Sequence, residues 1–254
     1  MTRLLIISGT MLALVSCSGS PKGAGAFSEA LSASTAEWAE VDFSGDGLTW
    51  TNAPMAATGS TKLRFRRIGS GAGAFFISIQ EVTQAQWQAL AGTQPWTEVP
   101  AGVVPAEATA PDRPAFNLAA DEVRTVLARY RTTKGGRLAV PTDAQWHRAA
   151  GVTNGWWWGD ALNHADLAAK AVVRDTGGWD TGPRLADRSR ANARGVMDLH
   201  GNVWEWTEGA TRVRGGSWFD GVWQARAEQQ LGADQGLEST MNCALVGLRL
   251  VLVP

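Results

Sequence analysis

Carboxylates are the side chains of this sequence whose spacing best suits chemistry. Asp198 lies seven residues before Glu205, and the turn formers Gly201 and Asn202 stand between them. Calcium accepts about six to eight hard oxygen ligands, including carboxylates and main-chain carbonyls. A glutamate here could instead accept hydrogen bonds from loop amides. The residues alone leave both interpretations of Glu205 open.

Histidines and cysteines do not form a recognisable catalytic set. His147, His164 and His200 show no i, i+4 pair and no clustered carboxylate triad. Cys17 belongs to the leader described below, so Cys243 has no partner for an intrachain disulfide and is predicted to be a small buried hydrophobic residue. The sequence also lacks a Gly-x-Ser-x-Gly elbow and a phosphate loop. It gives no positive sign of catalysis.

A predicted β-hairpin positions the second carboxylate. Trp204 and Trp206 alternate with Glu205, which is the pattern of a strand with an aromatic face and leaves Glu205 on the other face. After a short connection containing glycine, Arg212 and Arg214 alternate again and complete the hairpin.

Two capping boxes predict helix starts before this hairpin. Thr83 and Gln86 form one box, and Thr142 and Gln145 form the other. Both motifs are explained by structure alone and need no catalytic role. Helical spacing of apolar residues predicts an amphipathic helix over Asn117–Arg131.

The remaining segments are assigned more coarsely. We expect strands at Leu63–Ile68 and Ala74–Gln80, a long surface loop at Thr93–Pro114, and irregular chain over Asn154–Ala191. Residues 26–60 show no firm element except a helix near Ser28–Glu40.

Four motifs occur in an order that resembles a known family. They are Glu81-Val82-Thr83, Pro141-Thr142-Asp143-Ala144-Gln145-Trp146, Trp158-Gly159-Asp160, and Gly201-Asn202-Val203-Trp204-Glu205-Trp206 followed by Arg214-Gly215-Gly216-Ser217-Trp218. Together they resemble the formylglycine-generating enzyme (sulfatase-modifying factor) family over roughly residues 60 to 254. The resemblance implies an α+β, C-type-lectin-like fold, which is loop-rich with small mixed sheets and two main helices.

The resemblance also implies a structural calcium. Its ligands would be the side chains of Asp198 and Glu205 with the backbone oxygens of Gly201 and Val203. A second and weaker site of the family would map onto Asp166, Leu167 and Asp180, where aspartate replaces the family's asparagine.

The family's oxidase chemistry requires two cysteines that bind copper. Their positions are occupied by Asp220 and Ala225 here. A carboxylate and a methyl group cannot replace two thiolates as Cu(I) ligands, so copper is not expected. Iron is not expected either, because the three histidines form no i, i+4 pair or carboxylate triad. We therefore expect a non-catalytic, lipid-anchored binding protein. The alternative is a formylglycine-generating oxidoreductase, or another enzyme that uses unrecognised residues.

The segment 219–246 departs most from the family, whereas its flanks remain recognisable. This pattern resembles the variable lipoproteins of diversity-generating retroelements, and divergence of a paralogue that lost its enzyme site explains it equally well. In the first case the segment would bind a protein or other macromolecular ligand. The predicted binding residues are Phe219, Asp220, Val222, Trp223, Gln224, Ala225, Glu228, Gln229 and Leu231.

The first residues predict a lipid anchor in a bacterial cell envelope, facing the periplasm or the outside. Arg3, an apolar run and Leu14-Val15-Ser16-Cys17 read as a lipoprotein signal peptide with Cys17 as the lipidated residue. We therefore divide the chain into a signal peptide (1–17), a tether with an N-terminal extension (18–60), and one domain (61–254). A net charge of −1 over 254 residues gives no reason to expect nucleic-acid binding.

Overall fold

A computed structural model describes residues 27, 29, 35–45, 47–52, 61–159, 164–184, 190–232, 236–237 and 243–253. The predicted signal peptide, Cys17 and the first part of the tether lie outside the described residues. No helix in these ranges is long and apolar enough to cross a membrane.

Among the described residues, ten strands form two sheets. In chain order they are β1 (Trp38–Asp42), β2 (Gly47–Thr51), β3 (Lys62–Ile68), β4 (Phe75–Ser78), β5 (Arg137–Ala139), β6 (Trp204–Thr207), β7 (Arg212–Arg214), β8 (Gln230–Gly232), β9 (Val246–Gly247) and β10 (Val251–Val253). The larger sheet has the order β2-β1-β3-β4-β10-β5 and is antiparallel throughout. The smaller sheet has the order β8-β7-β6-β9, and its β6–β9 pair is parallel. The α+β class is thereby confirmed.

The predictions for strands β3 and β4 and for the β6–β7 hairpin are confirmed. Within residues 26–60, Phe27 and Glu29 are helical, but the sequence analysis missed two strands. Trp38–Asp42 and Gly47–Thr51 are strands, and the helix expected near Ser28–Glu40 cannot continue through Trp38. Ala39 and Val41 are fully buried and pair with β3 residues Phe65 and Leu63. Alternating burial of small and branched side chains against a distant strand therefore determines this segment.

Three helices have eight or more residues in the described ranges, where the resemblance implies two main helices. They are α1 (Gln84–Ala91), α2 (Ala120–Arg129) and α3 (Asp143–Ala150), and α4 (His164–Leu167) and α5 (Gly178–Thr181) are single turns. Both predicted capping boxes are present. Thr83 Oγ1 accepts from the backbone of Gln86, whose side chain accepts from the backbone of Thr83; Thr142 and Gln145 repeat the arrangement at α3.

Large aromatic side chains fix the loops around this small core. Trp87, Trp146 and Trp206 are fully buried. The segment Thr93–Pro114 contains only short 3₁₀ turns, as its composition predicts. Between Asn154 and Ala191, α4, α5 and one 3₁₀ turn interrupt otherwise irregular chain in the described part.

Candidate functional site

A buried ion pair joins strand β6 to the segment that precedes β10. Both carboxylate oxygens of Glu205 accept hydrogen bonds from the guanidinium of Arg249, at 2.6 to 2.8 Å, and both side chains are completely buried. The indole Nε1 of Trp146 donates a further bond of 2.7 Å to Glu205. The face of β6 opposite the tryptophans is therefore buried as well, and its glutamate is bonded by side chains rather than by loop amides.

Two more carboxylates lie near this pair. Glu81 accepts from the side chain of Asn202 at 2.8 Å and from the backbone of Val203 at 3.4 Å. Burial, and then the charges of Asp198 and Glu205, raise the pKa of Glu81 well above its usual range and favour its neutral form. Arg249 acts in the opposite direction. This cluster contains more acidic than basic groups.

The geometry bears directly on the predicted calcium. Asp198 and Glu205 both act electrostatically on Glu81 and Arg249, and between them Gly201 turns the chain with a φ of 90° and has no room for a Cβ beside Val172. The cation that Glu205 contacts, however, is Arg249. No group of three or more histidine, cysteine or acidic side chains in the described ranges has a metal-binding arrangement. Calcium at Asp198, Gly201, Val203 and Glu205 stays a prediction, and an ion there would have to share Glu205 with Arg249.

The two aspartates of the second predicted calcium site lie in different surroundings. Asp166 contacts Lys170 at 2.6 Å and Arg190 at 3.2 Å, and Lys170 lowers its pKa most strongly. Leu167 is buried. Asp180 lies instead in the cleft described below.

Asp220 is held as a structural carboxylate. Its Oδ2 accepts three hydrogen bonds, from Trp204 Nε1 at 2.8 Å, from the Ser217 hydroxyl at 2.5 Å and from the Ser217 backbone at 3.0 Å. Burial, and to a smaller extent the negative charge of Asp220, raise the pKa of the Cys243 thiol. Cys243 is partly buried against the main core, which agrees with its assignment as a small packing residue.

Ala225 is fully buried, and its carbonyl binds His200. The Nδ1 atom of His200 lies 2.6 Å from this oxygen, and its Nε2 lies 3.3 Å from the backbone nitrogen of Trp157. The first contact requires a proton on Nδ1 and the second a lone pair on Nε2, so the ring is neutral. Burial lowers the pKa of His200 to about 4. The two positions that the resemblance assigns to cysteines thus hold a hydrogen-bonded carboxylate and a buried methyl group.

A cleft of about 840 Å³ opens beside this segment. Residues of the 96–109 loop form one wall, and Trp179, Asp180, Trp218 and Phe219 form the other. Three of the four exposed large hydrophobic residues of the described ranges line it: Val103 (54% exposed), Trp179 (53%) and Phe219 (39%). Isolated apolar residues on a surface are ordinary, but a contiguous patch in a concavity is typical of binding sites.

A profile of the family described as "Sulfatase-modifying factor enzyme 1-like domain" matches residues 67–253. The chain belongs to this family. The match begins within β3, so β1, β2 and the β3 residues that pair with β1 precede the matched region.

Known relatives of the sulfatase-modifying factor domain agree with this assignment. The chain is 36% identical over 88 residues to the formylglycine-generating enzyme of Mycobacterium tuberculosis (strain ATCC 25618 / H37Rv), a match that covers 31% of this chain and 28% of that protein. Among solved structures, Treponema denticola variable protein 1 has a TM-score of 0.57 at 18% identity, covering 80% of this chain and 100% of that one. PvdO from Pseudomonas aeruginosa has a TM-score of 0.55 at 17% identity, covering 76% and 84%. The two structures show the C-type-lectin-like fold of this family.

The predicted binding residues of this sulfatase-modifying factor domain differ in how exposed they are. Phe219, Trp223, Gln224 and Gln229 are exposed, and Asp220, Glu228 and Leu231 are partly buried. The expectation that Val222 and Ala225 belong to an exposed face is wrong, because both are buried in a cluster with Trp156. Sequence reasoning missed Arg249 and Trp179. A single arginine in the apolar run Leu248–Leu252 was the available signal for the first, whereas no local pattern marks the second.

Proposed function

We propose that this protein is a non-catalytic, lipid-anchored protein of the bacterial cell envelope that binds a ligand or protein partner through the cleft beside Phe219. The single observation that carries the proposal is the concentration of exposed apolar side chains in this cleft. Val103, Trp179 and Phe219 come from three separate segments, so the fold itself assembles the patch. A contiguous patch of exposed apolar side chains is typical of a surface that a ligand or partner covers.

The two positions of the family's cysteine pair support a loss of oxidase chemistry. The Asp220 carboxylate already accepts three hydrogen bonds, and Ala225 packs against Gly216, where an added Cβ would lie 2.8 Å from the Ala225 Cα. Neither position offers a soft ligand for Cu(I). The alternative, an oxidase-type enzyme, is favoured by the partial match to a formylglycine-generating enzyme, and it is tested directly below.

An aldehyde assay separates the two functions. Purified protein is incubated with a Cys-x-Pro-x-Arg peptide, copper and oxygen, and we expect no aldehyde above a control without protein. Aldehyde formation that depends on the protein would exclude the non-catalytic proposal.

Site-specific photocrosslinking tests the binding role in the native envelope. A photoreactive amino acid at Phe219 should form a discrete adduct that disappears when Trp179→Ala is added. The same reagent at Gln88, an exposed residue of α1, is the matched control for non-specific capture. Absence of any Trp179-dependent adduct would instead favour a purely structural envelope protein.

Retroelement diversification of this surface is tested in the DNA. A near-copy of the codons for residues 215–250, with adenine where the copies differ, beside a reverse transcriptase gene would support it. Absence of such a copy would favour a divergent paralogue. Parts of this segment, residues 233–235 and 238–242, lie outside the described residues.

A further inference from the structure

The exposed rings of the cleft form a compact aromatic corner. The centroids of Trp179 and Phe219 lie 4.8 Å apart with an interplanar angle of 32°. Trp218 meets Phe219 nearly at a right angle, at 5.6 Å. Aromatic faces carry partial negative charge and attract organic cations placed over them.

A carboxylate stands at the same corner. Asp180 follows Trp179 directly in α5, is exposed, and is the one ionisable side chain among the described residues that line the cleft. In the described ranges its carboxylate contacts no lysine or arginine, whereas Asp166 contacts two such residues. A cleft with a single sign of charge and low-dielectric walls concentrates counter-ions of the opposite sign.

The exposed ring outside the cleft, by contrast, is already covered by a cation of the protein. At the other exposed ring, Trp223, the guanidinium of Arg226 lies 5.7 Å from the centroid and also 5.4 Å from Trp156. None of the cation–π contacts between described residues involves Trp179 or Phe219. The corner at Asp180 therefore has the chemistry for a cation, and no cation of the described chain lies over it.

A hydrogen-bond donor is available beside the rings. Trp218 is 2% exposed, and its buried Nε1 has no acceptor among the described residues. Buried donors are normally satisfied, so this unpartnered one, on a residue that lines the cleft, supports an acceptor supplied by a ligand.

We infer that the cleft recognises an organic cation, an ammonium or guanidinium group, on a ligand that also carries an oxygen acceptor. The cation lies over Trp179 and Phe219 with Asp180 as its counter-ion, and the acceptor reaches Trp218. This inference rests on the proposed function, because it names the ligand chemistry of the same cleft. The cation can belong to a small molecule or to a basic side chain of a partner.

Paired probes of equal shape test the charge requirement. Choline has a quaternary ammonium and a hydroxyl oxygen, and 3,3-dimethylbutan-1-ol is its neutral isostere. By isothermal titration calorimetry, supported by ligand-observed NMR, we expect choline to bind about fivefold or more tightly than the isostere. Acetylated and amidated arginine and lysine, measured in parallel, show whether a basic side chain is preferred to a small-molecule cation.

Variants of exposed residues locate the binding without disturbing the core. Asp180→Asn should weaken choline binding several-fold and leave binding of the neutral isostere unchanged, because only the charge is removed. Trp179→Leu should weaken binding of both probes. Gln88→Ala changes an exposed residue of α1 outside the cleft and should change neither. Thermal melts of each variant check that the fold is retained.

The outcomes distinguish this inference from the proposed function. Equal binding of choline and its isostere, with loss in Trp179→Leu, overturns the cation preference and leaves the cleft as a binding site. Choline binding that Asp180→Asn does not weaken also overturns it. If no cationic probe binds, the inference is wrong, and the photocrosslinking experiment decides separately whether the cleft has a partner.

Discussion

Arg249 compensates more negative charge than its single ion pair suggests. Its guanidinium bonds Glu205 and also the carbonyls of Ser78 and Met197, and Glu81 and Asp198 lie within its electrostatic reach. Removal of one partner of a buried ion pair is strongly destabilising, because the other charge stays buried without compensation. The effect should be asymmetric here, since the acidic groups outnumber the basic one.

We expect Arg249→Met to lower the free energy of unfolding by about 3–5 kcal/mol, and Glu205→Gln to lower it less. The glutamine variant leaves Arg249 with its carbonyl partners and the remaining acids, whereas the methionine variant leaves the acids alone. Urea denaturation measures both. Lys62→Met, which removes the partly exposed partner of Glu40, is the control and should lower the free energy of unfolding far less than Arg249→Met does. A larger loss for Glu205→Gln than for Arg249→Met would contradict this account.

The calcium prediction is tested on the same residues. Binding to the folded state alone adds about 2.7 kcal/mol of stability when free calcium is a hundredfold above its dissociation constant. We therefore expect a chelator to lower the melting temperature of the wild type, readdition of calcium to restore it, and Glu205→Gln to lose most of this response. A wild-type melt that ignores the chelator, with no ion found by elemental analysis, would mean that Arg249 is the only cation at Glu205.

His200 gives stability a pH dependence whose sign is fixed by burial. Its folded pKa of about 4 lies below its usual value of 6.5, so the unfolded chain binds more protons between these values. The contribution of the neutral ring is complete above about pH 6.5 and is lost as the pH falls towards 4, by about 3 kcal/mol at most. His200→Asn can still donate to Ala225 but does not titrate. From pH 7 to pH 4.5, the free energy of unfolding should therefore fall more in the wild type than in His200→Asn. An equal fall in both proteins would refute the assignment.

Helix starts are the elements that local sequence determines best. The two capping boxes lie within four consecutive residues each, so the sequence contains the complete hydrogen-bonding unit. Strands β1 and β2 depend instead on pairing with β3, and their alternation is hidden in a region rich in alanine, serine and threonine. Arg249 poses the same difficulty. Its apolar surroundings mark it as buried, but its partner Glu205 is 44 residues away, and nothing local identifies it.

The cap of α3 supports a prediction for a single element. Thr142 Oγ1 accepts from Gln145, and α3 in turn places Asp143 against Arg214 and Trp146 against Glu205. Thr142→Ala should therefore lower stability by about 1 kcal/mol, whereas Thr142→Ser should be nearly neutral because it keeps the oxygen. Guanidinium denaturation of both variants measures the difference. Equal stability of the alanine variant and the wild type would show that tertiary contacts alone hold the start of α3.

For the whole molecule, the predicted lipid anchor determines whether the protein is attached to a membrane. We expect Cys17→Ser to abolish membrane association, because the leader's apolar run is too short to serve as a mature spanning helix. Labelled palmitate should enter the wild type and be absent from the variant. Unchanged membrane fractionation of Cys17→Ser would refute the lipoprotein prediction.

The cleft shows why the proposed binding site is only half predictable from the sequence. Phe219 was identified because it follows a recognisable motif, but Trp179 and the 96–109 loop reach the cleft only through the folded chain. Asp180 was assigned to a metal by its spacing from Asp166, whereas the structure places it among aromatic rings. Spacing along an irregular segment does not fix distances in space, and that is the physical reason for the difference.

Strand β10 lies between β4 and β5, inside the larger sheet rather than at its edge. Its approach segment also brings Arg249 to Ser78, 171 residues earlier in the chain. Contacts of such large sequence separation slow folding. During synthesis, β4 and β5 leave the ribosome long before the strand that joins them, so neither the sheet nor its buried charges can be completed until residue 253 has been added. A nascent chain that lacks its last residues therefore exposes the edges of β4 and β5 that β10 covers in the folded protein.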